Sequence, residues 1–418
     1  MRICLVSQEY PPETARGGIG TQTWNKAHTL ARLGHTVHVL SCSRTSGLNL
    51  RTETEAGVTL RRMPPPGEET GRDFPVYTSA TYAVGYTWNV LRHLHHLMRT
   101  TEFDVIDFAE YGAEGFAYQL DRTAWNWVPV VVQLHAPLAM LAECLNWPPK
   151  DGDLYRVGTF MEGISIERAD ALMACSANIA DFTAAFYGVA RERIDVVHCG
   201  VDAEAFRPGD EKERAADRPT VLFVGNIAKN KGVKTVISAV LRLRSKYPNI
   251  RLQILGTGDD GLREELQRWV HRSGAEANIE FHGFVERSGL PDFYRRANVF
   301  CSPALYEGGV ANVYLEAMAC GCPVVASIAG AAPEAVTDGE TGLLVPPEDE
   351  GAVVTALDQI LGNEFLARQM GEAARRRVND YFAMDKYIVR VLSNYRRAIE
   401  CSRKKLDALK AAETAGAA

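Results

Sequence analysis

The chain has 418 residues, of which 46% are hydrophobic and 23% are charged, and its net charge is −6. These values are typical of a globular protein of two or three domains and exclude a disordered or fibrous chain. A mildly acidic chain without a basic patch is not expected to bind nucleic acid, and strong attraction to anionic lipid is not indicated.

The N-terminal sequence MRICLVSQEY enters an apolar run directly. It lacks the charged leader, apolar core and cleavage site of a secretion signal, so we predict a cytoplasmic protein. The nine cysteines agree with this prediction, because they are scattered, odd in number and without a CxxC pair. Neither a disulfide framework nor a zinc site is therefore expected.

Two uncharged runs, at residues 74–91 and 123–142, raise the question of membrane contact. The first is rich in Thr, Ser, Tyr and Gly, and the second is interrupted by Pro129 and Pro137. Neither resembles a spanning helix of about 20 apolar residues. At most, we expect peripheral membrane contact through Trp125 or Trp127.

Short apolar runs alternate with helical patterns along the chain. RICLVS is followed by a helical pattern over about residues 19–33, then by TVHVLS, which is the βαβ signature of a parallel sheet. FDVIDF, VPVVVQL, ALMAC and IDVVH continue the pattern. It restarts after the charged segment FRPGDEKERAADRPT, with TVLFVGN, IRLQILG, IEFHG, NVFCSP, CPVVAS and GLLVP. The restart predicts two doubly wound domains.

Ligands of doubly wound sheets bind where strands end and helices begin. After the first strand, Gly17, Gly18 and Gly20 precede a helix, so their amides can approach an anion, although a flexible turn is about as frequent. His135 ends the strand VPVVVQL and is predicted at such an edge. A histidine after an apolar strand is also typical of a hydrogen-bonded core residue.

Two lysines, Lys229 and Lys231, precede a helix that is predicted to begin near Val233. A lysine opposes the dipole at a helix N-terminus, and a bound anion would resolve the conflict; two solvated lysines are the alternative. The sequence DGD at residues 151–153 could suggest a metal–diphosphate site, but it follows a turn and is interpreted as a solvent-facing loop.

The segment LYEGGVANVYLEAMACGCPVV, residues 305–325, contains two glutamates in a nearly uncharged run. Glu316 has apolar neighbours on both sides, and a buried carboxylate needs hydrogen-bond donors. These donors can come from a buried lysine or arginine or from a bound ligand. The residues alone do not decide between these two sources of donors.

Seven segments together resemble the retaining GT-B glycosyltransferases of family four, over nearly the whole chain: GGIG, QLHAP, HCGVDAEAF, FVGNIAKNKG, HGFV, YEGGVANVYLEAMACGCPVVAS and DGETGLLVPPED. The resemblance implies an α/β fold of the GT-B type, with two doubly wound Rossmann-like domains facing across a cleft. Residues 1–207 would form the acceptor-side domain, residues 208–382 the nucleotide-sugar domain, and residues 383–418 a helix that returns to the first domain.

The resemblance also implies an activity. A hexosyl or related sugar would pass from a nucleotide-diphosphate donor to an acceptor hydroxyl with retention of configuration. No metal and no cofactor beyond the donor are expected. The acceptor, whether a sugar, a small molecule, a lipid or a protein, is not identified.

Roles for individual residues follow from the same resemblance. Glu316 would bind the ribose, Glu307 and His135 the donor sugar, and Lys231 the departing diphosphate. The other expected donor-binding residues are Gly18, which would close over the phosphates, Gly225 and Asn226 after a strand, Gly283, Phe284 and Val285 at the base, and Gly308, Gly309 and Val310, whose amides would face the sugar and diphosphate.

The chain departs from the family pattern at two places. Eight residues separate Glu307 from Glu316, where the family usually has seven, and Asn226 replaces a common arginine, with Lys229 as a possible substitute cation. A nucleotide-sugar epimerase of the same architecture and a non-catalytic scaffold subunit are therefore alternatives. The glycine loop and the two glutamates favour the transferase.

Overall fold

The computed structural model describes residues 1–14, 17–43, 50–64, 79–209 and 218–416, with side chains up to residue 410. The chain divides into two compact units. Unit 1 comprises Met1–His198 and Tyr387–Ala418, and unit 2 comprises Cys199–Lys386. Each unit is a Rossmann-like α/β domain built on a largely parallel sheet.

Among its described residues, unit 1 has eight strands and, before the C-terminal helix, six α-helices. The strands are β1 (Arg2–Val6), β2 (Thr36–Cys42), β3 (Arg51–Glu55), β4 (Val58–Met63), β5 (Val105–Ala109), β6 (Val130–Leu134), β7 (Ala171–Ala174) and β8 (Ile194–Val196). The helices are α1 (Gly18–Arg32), α2 (Ala80–Met98), α3 (Phe116–Asp121), α4 (Leu138–Leu145), α5 (Asp153–Arg168) and α6 (Ala177–Tyr187).

The sheet of unit 1 has the order β3-β4-β2-β1-β5-β6-β7-β8. All neighbouring strands are parallel except β3 and β4, which form an antiparallel hairpin. The sequence patterns do not predict this hairpin, because every residue of the edge strand β3 is exposed and β3 therefore lacks an apolar pattern. The central strands β5, β6 and β7 are buried throughout, which explains their continuous apolar runs.

The part of unit 2 that the structure describes has six strands, all in parallel pairs. They are β9 (Thr220–Val224), β10 (Arg251–Leu255), β11 (Ile279–Gly283), β12 (Val299–Ser302), β13 (Val324–Ser327) and β14 (Gly342–Val345), in the order β11-β10-β9-β12-β13-β14. The helices are α7 (Val233–Leu243), α8 (Asp260–Arg272), α9 (Leu290–Arg296), α10 (Asn312–Ala319), α11 (Ala332–Ala335), α12 (Glu350–Leu361) and α13 (Glu364–Arg377), and α14 (Met384–Gly416) follows.

The structure divides the chain after His198 and after Lys386, whereas the sequence predicted boundaries after residues 207 and 382. The first difference has a physical cause. Val201 and Phe206, which precede the predicted boundary, are buried in the core of unit 2. Val201 also forms a parallel bridge with Ala383. Residues 210–217 of the predicted linker lie outside the described residues.

The uncharged runs form parts of unit 1. Residues 79–91 of the first run belong mostly to α2, residues 74–78 are not described, and the second run contains β6 and part of α4. No helix in the described part of the chain is long and apolar enough to cross a membrane. Trp125 is 85% exposed, whereas Trp127 packs under the Arg122 guanidinium; membrane contact stays a prediction. All nine cysteines are free thiols.

Candidate functional site

The strand order of unit 2 reverses between β9 and β12, and the carboxyl edge at such a reversal is where doubly wound sheets bind ligands. Two predicted site residues come from the loops at this point. Lys231 follows β9 and directly precedes Gly232 and α7, and Glu307 follows β12. Gly225 and Asn226 also follow β9, so the topology brings these four predicted residues to one edge of the unit 2 sheet.

Lys231 and Glu307 are in direct contact. The Lys231 Nζ donates to Glu307 Oε1 at 2.7 Å, and the two side chains are 29% and 15% exposed. A partly buried ion pair of this kind is screened less than a surface pair, yet both groups can still reach a ligand. The pair therefore offers a cation and a carboxylate at adjacent positions.

The backbone fixes the two loops that carry this pair. The Leu305 amide donates to the Asn230 carbonyl at 2.8 Å. Gly232 has φ +76°, and a Cβ there would lie 2.3 Å from the Pro303 carbonyl oxygen, so only glycine allows the loops to approach. Gly330 forms a bridge with Glu307, where a Cβ would lie 2.0 Å from the Glu307 carbonyl oxygen.

Glu316 lies on α10 and is 3% exposed. Its carboxylate accepts from Arg287 Nη1 at 3.0 Å and from the Tyr294 hydroxyl at 3.1 Å. Burial raises the pKa of Glu316, and Arg287 and Tyr294 oppose the rise. Of the two sources of donors considered from the sequence, the structure shows the protein's own arginine, joined by a tyrosine. Ribose binding by Glu316 remains a prediction, and it requires Arg287 to move or to share the carboxylate.

The other predicted donor residues of unit 2 differ in accessibility. Asn226, Lys229 and Phe284 are exposed, and Gly225, Gly283, Val285, Gly308 and Gly309 are partly exposed. Val310 is buried in the core, so its amide alone could face a ligand. The three residues from Gly308 to Val310 precede α10, which begins at Asn312. Their assigned roles stay predictions.

The glycine loop of unit 1 already receives a carboxylate from its own chain. The Gly20 amide donates to Glu9 Oε2 at 3.1 Å, and a Cβ on Gly17 would lie 3.0 Å from the same oxygen. The sequence predicted an anion at these amides, and within unit 1 that anion is Glu9. A diphosphate at Gly18, as predicted, would have to share this helix start with Glu9.

His135 follows β6, as predicted. Burial and the nearby Lys26 charge lower the pKa of His135 to about 3, so its imidazole is neutral at physiological pH. Its backbone amide donates to Glu110 Oε1 at 2.6 Å. His135 could therefore donate or accept a hydrogen bond, but it cannot supply positive charge, and its contact with a sugar stays a prediction.

Sequence reasoning missed five side chains that shape these edges: Glu9, Glu110, Glu114, Arg287 and Tyr294. The sequence contained a usable signal for one of them, Glu110. Glu110 directly follows the buried strand β5, just as His135 follows β6. Arg287 and Tyr294 gave no comparable signal, because their contact with Glu316 joins residues 29 and 22 positions apart.

Within the described residues, no group of three or more His, Cys, Asp or Glu side chains is arranged to hold a metal ion. The DGD sequence lies at the start of α5, where Asp151 and Asp153 are both exposed.

Comparison with known proteins identifies the family. The model of the glycosyl transferases group 1 matches residues 208–377, and the model of glycosyltransferase family 4 matches residues 16–205. A D-inositol 3-phosphate glycosyltransferase of Kribbella flavida is 30% identical over 420 residues, which cover 96% of each chain. A glycogen synthase of Mycobacterium tuberculosis is 30% identical over 395 residues, which cover 91% of each chain.

The chain belongs to the group 1 glycosyltransferases. Among solved structures, a sucrose-phosphate synthase of Thermosynechococcus elongatus has a TM-score of 0.81 at 21% identity, covering 95% of this chain and 98% of the other. An Anabaena protein in complex with UDP-glucose has a TM-score of 0.71 at 17% identity, covering 94% and 98%. These likenesses show the GT-B fold. The protein is a glycosyltransferase by family, and neither an epimerase nor a scaffold is favoured.

Proposed function

We propose that this glycosyltransferase takes its sugar from a nucleotide-diphosphate donor bound at the carboxyl edge of the unit 2 sheet, and transfers it with retention of configuration and without a metal. The contact between Lys231 and Glu307 at the point of strand reversal carries the proposal. The Anabaena protein of the same fold, whose structure contains UDP-glucose, supports it.

The charges of this pair fit the charge that develops during transfer. As the bond between the anomeric carbon and the phosphate oxygen breaks, negative charge grows on the diphosphate and positive charge on the sugar. The Lys231 ammonium would stabilise the leaving diphosphate, and the Glu307 carboxylate the sugar. The acceptor hydroxyl would attack the same face and give its proton to the leaving phosphate oxygen.

Asn226 leaves the diphosphate site without the arginine that the family commonly has there. A hydrogen bond to a charged group contributes roughly 1.5–3 kcal/mol. We therefore expect Lys231 to supply the main cationic contact, with the exposed Lys229 as an auxiliary charge.

The test is Lys231→Ala, with Lys229→Ala as the matched control two residues away. Calorimetry with UDP, GDP, ADP and dTDP first identifies the nucleotide that binds. Lys231→Ala should then lower the affinity for that nucleotide by roughly 10- to 150-fold, the equivalent of 1.5–3 kcal/mol. It should lower kcat/KM by at least the same factor.

Lys229→Ala should weaken binding less than Lys231→Ala does. Wild-type kcat/KM in Lys231→Ala would show that the diphosphate lies elsewhere. Failure of all four nucleotides to bind the wild-type chain would remove the proposed donor class.

A further inference from the structure

Arg287 lies in unit 2, in the connection between β11 and α9. It follows residues 283–285, the segment predicted to face the base, with only Glu286 between them. Its guanidinium donates to Glu316, the residue predicted to bind the ribose. The base and the ribose of a nucleotide are directly joined. Arg287 therefore connects the two predicted halves of one nucleoside site, although the sequence assigned it no role.

Arg287 is the accessible member of its ion pair with Glu316. The Arg287 side chain is 35% exposed, whereas that of Glu316 is 4% exposed. Each carboxylate oxygen of Glu316 already accepts from the protein, Oε1 from Arg287 and Oε2 from the Tyr294 hydroxyl. A ligand that approaches this pair from solvent therefore meets the guanidinium first.

The guanidinium also has donors that the protein does not use. An arginine carries several N–H groups in a planar fork. Among the described residues, Glu316 is the one hydrogen-bond acceptor for Arg287, and it accepts from Nη1. Arg375 in the same unit shows the contrasting structural use, because its fork donates to three backbone carbonyls, those of Ala203, Phe206 and Ala319. The remaining N–H groups of Arg287 are available to a ligand.

Neighbouring side chains fix the orientation of Arg287. Its guanidinium lies 5.1 Å from the centroid of the buried Phe206 ring. The same ring packs edge-on against Tyr294, with the ring centroids 6.0 Å apart, so one aromatic residue supports both donors of Glu316. A side chain that is already held in place loses less conformational entropy on binding than a free one does. Arg287 is therefore pre-organised to donate in a fixed direction.

The charges of the pair favour a neutral ligand group. The Glu316 carboxylate beside the guanidinium offsets much of its positive charge, so a phosphate would gain little at this position. A hydroxyl oxygen carries no net charge and can accept from Arg287 without repulsion by Glu316. Ribose supplies adjacent hydroxyl groups of this kind.

We propose that Arg287 donates hydrogen bonds to the ribose hydroxyls of the nucleotide and so determines the preference for a ribonucleotide over its deoxy forms. The proposal rests on the proposed function, because it needs a nucleotide at this edge. Glu316 holds the guanidinium in place for the contact. The ribose specificity of the chain then depends on an arginine that lies outside the segments by which the family was recognised.

The experiment is calorimetry on the whole chain with UDP, GDP and ADP and with the 2′-deoxy and 3′-deoxy forms of each. In the wild type, the ribonucleotide that binds most tightly should bind at least about tenfold more tightly than one of its deoxy forms, the effect of one hydrogen bond to a charged group. Arg287→Met keeps an aliphatic stem against Phe206 but removes every N–H donor. It should abolish the preference for ribose.

Arg296→Met is the matched control, because Arg296 is an exposed arginine on α9. It should leave the preference for ribose unchanged. Arg287→Lys keeps a positive charge beside Glu316, so it is expected to fold even if Arg287→Met does not. Its ammonium lacks the planar fork, and the preference should fall by at least about threefold. The folding of each variant is checked by its melting temperature.

Three results with the variants would overturn the proposal. An unchanged ribose preference in the folded Arg287 variants would mean that Arg287 only supports the structure. An equal loss of affinity for the ribonucleotide and its deoxy forms would mean that Arg287 binds a phosphate. A gain of affinity for all of them would mean that Arg287 competes with the nucleotide for Glu316.

The wild-type chain separates this proposal from the donor proposal. Nucleotide binding without a preference for ribose, or binding of dTDP alone, would refute the role of Arg287 and leave the donor proposal standing. Failure of UDP, GDP, ADP and dTDP to bind would refute both.

Discussion

Glu307 and Glu316 occupy one sequence motif but have different surroundings. Glu307 pairs with Lys231 at a partly exposed edge, whereas Glu316 is buried between Arg287 and Tyr294. The glutamine variants should therefore have separable effects. In our proposal, Glu307 would stabilise the positively charged transition state more than the bound donor, and Glu316 would contact at most the nucleotide.

We predict that Glu307→Gln lowers kcat more than it raises the donor KM, because it removes a charge that acts mainly in the transition state. Glu316→Gln should instead lower the affinity for free nucleotide modestly. It should also lower the free energy of unfolding by about 1–3 kcal/mol, since Arg287 loses its charged partner. Kinetics at varied donor and calorimetry with free nucleotide measure both. If Glu307→Gln keeps the wild-type kcat but binds free nucleotide more weakly, the eight-residue spacing has moved Glu307 off the sugar.

Burial raises the pKa of Glu110, and this rise predicts a pH dependence of stability. The folded pKa of about 7 lies above the ordinary value of 4.5, so the folded chain holds a proton that the unfolded chain releases. The stability contributed by this proton is complete below pH 4.5 and is lost as the pH rises through about 7.

Glu110→Gln mimics the protonated side chain and removes this loss. Its melting temperature relative to wild type should therefore rise between pH 5 and pH 8, as measured by thermal unfolding without ligand. Glu143→Gln, at a half-exposed carboxylate on α4, is the control and should show no such trend. A constant difference between Glu110→Gln and wild type across this range would mean that Glu110 is ionised in the folded chain throughout.

The C-terminal helix α14 is fastened to the sheet of unit 1 by polar contacts. The Tyr395 hydroxyl donates to Asp107 Oδ2, which also accepts from the Lys26 ammonium, and the Asn394 side-chain amide donates to the Leu172 carbonyl at 3.0 Å. Tyr395 and Asp107 are buried. Removing one hydrogen-bond donor from a buried carboxylate lowers the free energy of unfolding more than breaking an exposed ion pair does.

We predict that Tyr395→Phe lowers the free energy of unfolding by about 1.5–3 kcal/mol, because it removes a hydrogen bond to a buried charged group. Lys404→Ala on the same helix removes only an exposed pair with Glu400 and should leave the free energy of unfolding nearly unchanged. Urea unfolding of both variants makes the comparison. If Tyr395→Phe and Lys404→Ala have the same free energy of unfolding, apolar packing alone holds α14.

The complete reaction of the chain has a stereochemical outcome that can be measured. Lys231 supplies positive charge to the leaving diphosphate in our proposal, so a metal is not needed for that role. We predict a product with retained anomeric configuration, formed in excess EDTA and identified by proton NMR. Inversion, or loss of activity on chelation with rescue by Mn²⁺, would refute the mechanism.

The sequence by itself determined the α/β class, the restart into a second domain and the position of Lys231 before a helix. Each of these depends on a pattern that is local in the chain, such as the alternation of apolar runs and helical periods. The resemblance of seven segments to a known family also predicted the family, which the comparisons confirm. The edge hairpin β3–β4 was not predicted, because β3 is exposed and carries no apolar signal.

Only the tertiary structure decided which groups meet. Lys231 and Glu307 are 76 residues apart, and Gln8 and Glu114 are 106 apart, so no local pattern reports either contact. Glu114 stands in a glycine-containing loop that resembles a solvated turn, and its burial follows from the strand order that brings β5 beside β1. The charge state of a carboxyl group depends on burial and on neighbours in space. The sequence therefore determined the elements and the family, whereas the packing of those elements decided that Arg287 holds Glu316, that Glu9 occupies the glycine loop, and that Glu110 and Glu114 retain oxygens without a partner in the described part of the chain.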